Sequence, residues 1–364
     1  MAESKEFIER LQENIDGFLN SHSRILASIS LELDPISSIS RDFLSGGKRF
    51  RPLFCLRGWQ AAAVANTTRA VPETIVLAAS ALELFHAAAL VHDDLIDRSD
   101  TRRGNPSTHR RFEQVHNDSA WSGSGEHFGT SSAILLGDLL LVESDELFAE
   151  ALEAEPDDAN RRRARAEFNR MRLDVTAGQY LDIVAEHAWP HRNEDEQLAE
   201  AQRVLVYKSA KYSIEAPLRI GASFAGASEE QLDTISTYGV PLGIAFQLRD
   251  DVLGVFGDSA MTGKPSGDDL RDGKRTVLIA LTRARLSGAE RETVDAQLGD
   301  PALSKADIAH LQDLIRSSGA LDEVERMITG YVDDAVNVLE KAAFSTQSKD
   351  ELRALAEMVT RRDS

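Results

Sequence analysis

One cysteine, Cys55, stands in 364 residues, so no intrachain disulfide can form. In its apolar surroundings the thiol reads as packing. That usage suits a reducing compartment, and a cytoplasmic location is expected. Positive charge is also short: 60 acidic against 41 basic residues give a net charge of −19. Nucleic-acid binding, which wants a basic surface, is thereby disfavoured. An anionic substrate is not, because arginines, lysines and bound metal set the potential inside a cleft. The start, Met1 to Glu6, has no basic stretch leading into an apolar one, so no signal peptide is expected. The longest apolar stretch, Thr74 to Val91, contains Glu83 and His86 and runs straight into Asp93. An ionised carboxylate is costly in lipid. The stretch is therefore read as a buried core helix, with no stable membrane insertion. Alternating runs of strand type are scarce, and no segment has the length and composition of a domain linker.

Helical spacing fills the rest. Apolar residues recur at three and four positions in Phe7-Leu11-Ile15-Phe18-Leu19, and from Val204 through Ile214 to Leu218. The same spacing marks Leu232-Ile235-Tyr238 and Leu321 to Val332. Breaks are expected at Ser45-Gly46-Gly47, Gly104-Asn105-Pro106, Ser122 to Thr130, Glu155-Pro156-Asp157, Trp189-Pro190-His191 and Gly257 to Gly273. The expected fold is all-α: a single domain over residues 1–364, built as one large helical bundle with a central active-site cavity.

Chemistry concentrates in four segments. In Asp93-Asp94-Leu95-Ile96-Asp97 the first and last carboxylates are one helical turn apart and leave the same face. Close carboxylates repel unless a cation sits between them. Hard oxygen ligands in small number, with room for substrate phosphates, suit Mg²⁺. Arg102 and Arg103 follow, as forks for those phosphates. His86, two turns before Asp93, shares its face. In Gly46-Gly47-Lys48-Arg49-Phe50-Arg51, Lys48 and Arg51 are spaced to reach one anion near a helix start. A third segment holds Lys208 and Ser209. A fourth holds Gln247, Asp250 and Asp251, then Lys264 and Lys274. Its glycines fall in faint imitation of a nucleotide loop, but the spacing is wrong and no strand precedes it. Metal-bridged diphosphate binding follows from these residues.

Together the segments, from roughly Leu44 to Ala280, resemble the trans-type isoprenyl diphosphate synthases, or polyprenyl synthetases. The resemblance implies the isoprenoid synthase fold and condensation of isopentenyl diphosphate with allylic diphosphates, releasing pyrophosphate. It implies about three Mg²⁺ per site, held by Asp93, Asp97 and Asp250. Asp94, Arg102, Lys208, Gln247, Asp251 and Lys264 complete the catalytic set. It places isopentenyl diphosphate on Lys48, Arg51, His86 and Arg103, and the allylic diphosphate near Arg102, Lys208, Ser209, Gln247, Lys264 and Lys274. A homodimer is expected. Chain length is read from Phe85, Ala88 and Ala89. The last two are small where shorter-chain members carry bulk, so the floor falls to Phe85 and the expected product is C20, geranylgeranyl diphosphate. The alternatives are a farnesyl (C15) or longer polyprenyl diphosphate synthase; a terpene cyclase or a non-catalytic prenyltransferase subunit fits the motifs less well. Two departures stand out. Gly254 replaces the third aspartate of the second acidic motif, and Glu113 to His127 looks like an inserted, glycine- and serine-rich mobile flap.

Overall fold

A computed structural model describes residues 2–63, 70–102, 104–257 and 266–360. The described chain is almost wholly helical, with one two-residue β-hairpin, Thr101–Arg102 against Asn105–Pro106. It forms two compact units. One comprises residues 1–165 and 220–226, the other 166–219 and 227–364.

The first unit is built on α4, Glu73–Ile96. Its side chains are buried nearly all round, from Thr74 to Ala88. A helix apolar on every face must be enclosed by others. Length and hydropathy would let α4 cross a membrane, yet 83% of its most apolar window is buried. Around it pack α1 (Ala2–Ile29), α2 (Asp34–Leu44), α3 (Phe50–Ala62) and α6 (Gly125–Ala154). Phe7, Leu11, Ile15 and Leu19 form the buried stripe of α1, as their spacing requires. Gly221 lies so close to Cys55 that a β-carbon there would meet the Cys55 and Trp59 backbones. Cys55 is buried, and burial pushes its thiol up to about 12, so it is inert packing.

The expected flap is largely helix. Thr108–Asp118 forms α5, and α6 begins at Gly125, where the Ser124 hydroxyl caps the His127 amide. The break expected to reach Thr130 therefore closes earlier. His116, Trp121 and Phe128 stack at 5.2–6.1 Å and pin the intervening turn.

The second unit is organised round α10 (Glu229–Phe256), which follows α8 (Glu194–Val204) and α9 (Ala216–Phe224) in the chain and is started by a reciprocal Ser228–Gln231 capping box. It packs against Leu205–Glu215, Ala320–Lys341 and Thr346–Thr360. α-Helical spacing was expected through Leu205–Glu215, but these residues form a π-helix, closed where the Ala216 amide reaches the Lys211 carbonyl. Two neighbours explain the wider turn. Gly178, on α7 (Asp158–Ala188), has no β-carbon to keep the Tyr207–Lys208 backbone away. Gly243, on α10, does the same for Ala210.

Candidate active site

In the first unit, α4 supplies His86, Asp93 and Asp94, and Asp97 caps its end. The Asp97 amide bonds the Asp93 carbonyl at 2.8 Å, so both carboxylates stay on one face, half-buried. The helix then stops abruptly. Arg98 takes a left-handed φ of 53°, its amide bonds Leu95, and the Ser99 amide bonds the Asp94 carbonyl. This is the terminal pattern usually built on glycine. It turns the chain into the hairpin, which brings Arg102 back over the acidic pair. Arg102 donates through Nε to Asp94 Oδ1 at 2.9 Å, and through a second nitrogen to the same oxygen. It lies 3.5 Å from Asp93. Burial pulls the guanidinium pKa down, but the charge and hydrogen bond of Asp94, aided by Asp93 and Asp97, raise it overall. Asp94 is fully buried and thus serves as the counter-charge that aims Arg102. Asp93 and Asp97 are half-buried.

Lys48 is exposed, and Arg51 and His86 are half-buried. Phe85 and Ala88 are buried in the unit's core and Ala89 is half-buried. His92 lies over Gly137 of α6, where a β-carbon would meet its ring, with Nε2 3.5 Å from Asp138.

The second unit holds the other half of the predicted set. Lys208 and Ser209 sit on the π-helix, and Lys208 Nζ donates to Asp182 Oδ2 at 2.5 Å. Lys274 approaches the same oxygen at 4.0 Å. Asp182 was not singled out from sequence. A signal was present: Gly178 and Asp182 are four apart, so one face of α7 both admits the π-helix and receives its lysine. On α10, Gln247 donates to Asp251 Oδ1 at 2.8 Å, and Asp250 is half-buried beside it. Arg249 points elsewhere, gripping Glu325 with both terminal nitrogens at 2.7 Å and so fixing the rotation of α10. Asp251 is pushed up to about 8, by burial first and then by Asp269, Asp250 and Asp182, with Gln247 opposing. The place of the missing third aspartate is filled: a β-carbon on Gly254 would run into the Asp269 carboxylate. Arg103 and Lys264 lie outside the described residues.

The donors on each unit are hard carboxylates, and cations stand beside them. Among the described residues no three Asp, Glu, His or Cys side chains enclose a metal by themselves. Hard carboxylate donors suit Mg²⁺, which keeps its waters and takes one or two carboxylates together with substrate phosphates.

Comparison with known proteins agrees with this chemistry. A family model described as polyprenyl synthetase matches residues 34–315. The geranylfarnesyl diphosphate synthase of Aeropyrum pernix is 34% identical, over 93% of this chain and 98% of that protein. The geranylgeranyl diphosphate synthase of Sulfolobus acidocaldarius is 30% identical, over 88% of each. Among solved structures, a geranylgeranyl pyrophosphate synthase from Corynebacterium glutamicum, complexed with isoprenyl diphosphate and magnesium, is 39% identical. It superposes with a TM-score of 0.91 over 98% of this chain and 99% of that one. With the motif residues standing on these helices and the match running through them, the chain belongs to the polyprenyl synthetase family and is a trans-prenyltransferase that condenses prenyl diphosphates.

Proposed function

We propose that the enzyme extends allylic diphosphates with isopentenyl diphosphate up to C20, geranylgeranyl diphosphate. The observation that carries this reading is the run of residues on α4. Small Ala88 and Ala89 lie between the acidic end and Phe85, which is bulky and buried. Phe85 is one turn deeper than Ala89, and a turn of about 5.4 Å is roughly one isoprene unit. Lys48, Arg51, His86 and Arg103 hold isopentenyl diphosphate so that its double bond faces the allylic carbon.

Asp93, Asp97 and Asp250 are the proposed ligands for about three Mg²⁺, which when bound neutralise charge on the leaving diphosphate. Arg102, aimed by Asp94, hydrogen-bonds that diphosphate. Lys208, Lys264 and Lys274 add charge to it, and Ser209 a hydroxyl. The allylic carbon–oxygen bond breaks with its electron pair going to the diphosphate. The isopentenyl double bond then supplies the pair for the new carbon–carbon bond. Gln247 and the π-helix carbonyls face the positive charge that results. The proton lost in restoring a double bond passes to the departing pyrophosphate.

The assay is incubation with isopentenyl diphosphate and each of the C5, C10 and C15 starters, reading product length by mass spectrometry. C20 is expected to dominate. The names of the two curated relatives differ in product, so a longer chain is the second reading. Phe85→Ala is expected to shift the product beyond C20, and Ala89→Phe to shift it toward C15. Unchanged products in both would place the floor on another helix and remove the C20 assignment.

The same enzyme is proposed to act as a homodimer. On α6, Leu135 and Val142 are 64% and 65% exposed and two turns apart. On α7, Leu173 and Tyr180 are 65% and 67% exposed with the same spacing. Large apolar side chains repeated along one helix face ask for cover. In sedimentation velocity the parent is expected to run as a dimer, and Leu135→Glu with Val142→Glu as a monomer. A monomeric parent sinks this assignment.

A further inference from the structure

Between Lys48 and Arg51 stands Arg49, which goes the other way. Its backbone is left-handed, at φ 49°, directly after Gly46 and Gly47, whose φ values of 70° and 96° are also positive. A side chain rarely adopts that conformation without a compensating contact. Here the compensation is visible. Arg49 is only 7% exposed, and its guanidinium donates to Glu83 on α4, to the Leu44 carbonyl ending α2, and at 2.6 Å to Gln12 Oε1 on α1. Glu83, also 7% exposed, lies one turn before His86.

Core stability does not by itself call for such a pair. Desolvation offsets much of the attraction between buried charges, and apolar residues of similar volume often serve as well. An apolar pair cannot fix direction. A planar guanidinium held by three acceptors from three helices fixes the loop's rotation as well as its distance. With Arg49 turned in, Lys48 lies exposed and Arg51 half-buried.

We infer that the Arg49–Glu83 pair is a positioning device that locks the Gly46–Arg51 turn to α4, keeping Lys48 and Arg51 in register with His86 for isopentenyl diphosphate. This rests on the assignment of those three residues to that substrate under the proposed function.

The test uses the full chain and two variants. Arg49→Met with Glu83→Leu removes the charges and keeps the volume. Arg49→Lys keeps the charge facing Glu83 but loses the fork to Leu44 and Gln12. Isopentenyl diphosphate binding is measured by calorimetry without allylic substrate, alongside KM for each substrate, kcat and melting temperature. In both variants the Kd and KM for isopentenyl diphosphate are expected to rise about tenfold, with the allylic KM within about twofold of the parent. Parent-like isopentenyl affinity in a folded variant overturns the inference, and so does an equal loss on both substrates. If the double variant does not fold, Arg49→Lys decides alone by the same criteria. Lys48→Ala and Arg51→Ala separate the two levels. Parent-like binding in these overturns the substrate assignment and this inference with it. Weakened binding in them, with parent-like binding in the Arg49 variants, overturns this inference only.

Discussion

Asp93→Asn and Asp97→Asn enzymes are expected to lose at least about a hundredfold in turnover, the scale of removing one preorganised electrostatic stabiliser. Asparagine keeps the shape and removes the charge. Both carboxylates are half-buried, on one face of the α4 end. The structure separates them from Asp94, which is fully buried and spent on Arg102. The apparent affinity for Mg²⁺, read as the concentration giving half-maximal rate, should weaken in both variants. Asp94→Asn should behave differently. It leaves Arg102 short of its counter-charge, so the allylic KM rises while the Mg²⁺ dependence shifts less. Near-parent rates for Asp93→Asn and Asp97→Asn at saturating Mg²⁺ would exclude them as ligands. A Mg²⁺ dependence equally altered in all three variants would remove the distinction drawn for Asp94.

Gly178→Ala is the second substitution with a large expected effect, although it changes no charged or polar group. A methyl at 178 would stand 2.6 Å from the Tyr207 carbonyl carbon and 2.7 Å from the Lys208 Cα, with the Lys208 amide nitrogen closer still. These are backbone atoms, and no rotamer change relieves the clash. The π-helix must move, and it carries Lys208 off Asp182. Overpacking of this kind costs about 1–3 kcal/mol of stability. A shift of about 1 Å in a positioning element can cost about a hundredfold in rate. The expected result is a folded protein melting several degrees lower, with turnover down by about two orders of magnitude and isopentenyl diphosphate binding retained. A variant with parent turnover would show that the π-helix can move without consequence for the chemistry.

Much of this was legible in the chain because the signals are local. The period of apolar residues set α1 and α10, since a buried stripe must recur with the helical turn, and an unbroken apolar stretch set α4. The Asp93–Asp97 spacing and its trailing arginines announced diphosphate chemistry, since a spacing of four puts two carboxylates on one face whatever the helix packs against. The turn at Gly46–Gly47 was equally plain. Other features depended on residues far apart in sequence. The division into two compact units, with residues 220–226 returning to the first, is a property of packing that no local pattern encodes. The π-helix at Leu205–Glu215 carries ordinary α-helical spacing; the glycines that permit its close approach are on two other helices. Asp182 and Asp269 carry no motif of their own. They matter because tertiary packing sets one against Lys208 and the other against Gly254. Arg49 stands inside the anion motif, between the two residues read as anion ligands, and spacing alone gave it no role. Its left-handed backbone and buried partner, Glu83, were set only when α1, α2 and α4 closed round it. The sequence by itself thus determined which chemical groups are present and which helix face bears them. The tertiary structure decided which charges are buried against one another, Asp94 with Arg102 and Arg49 with Glu83, because that depends on burial and, for Arg49, on partners distant along the chain.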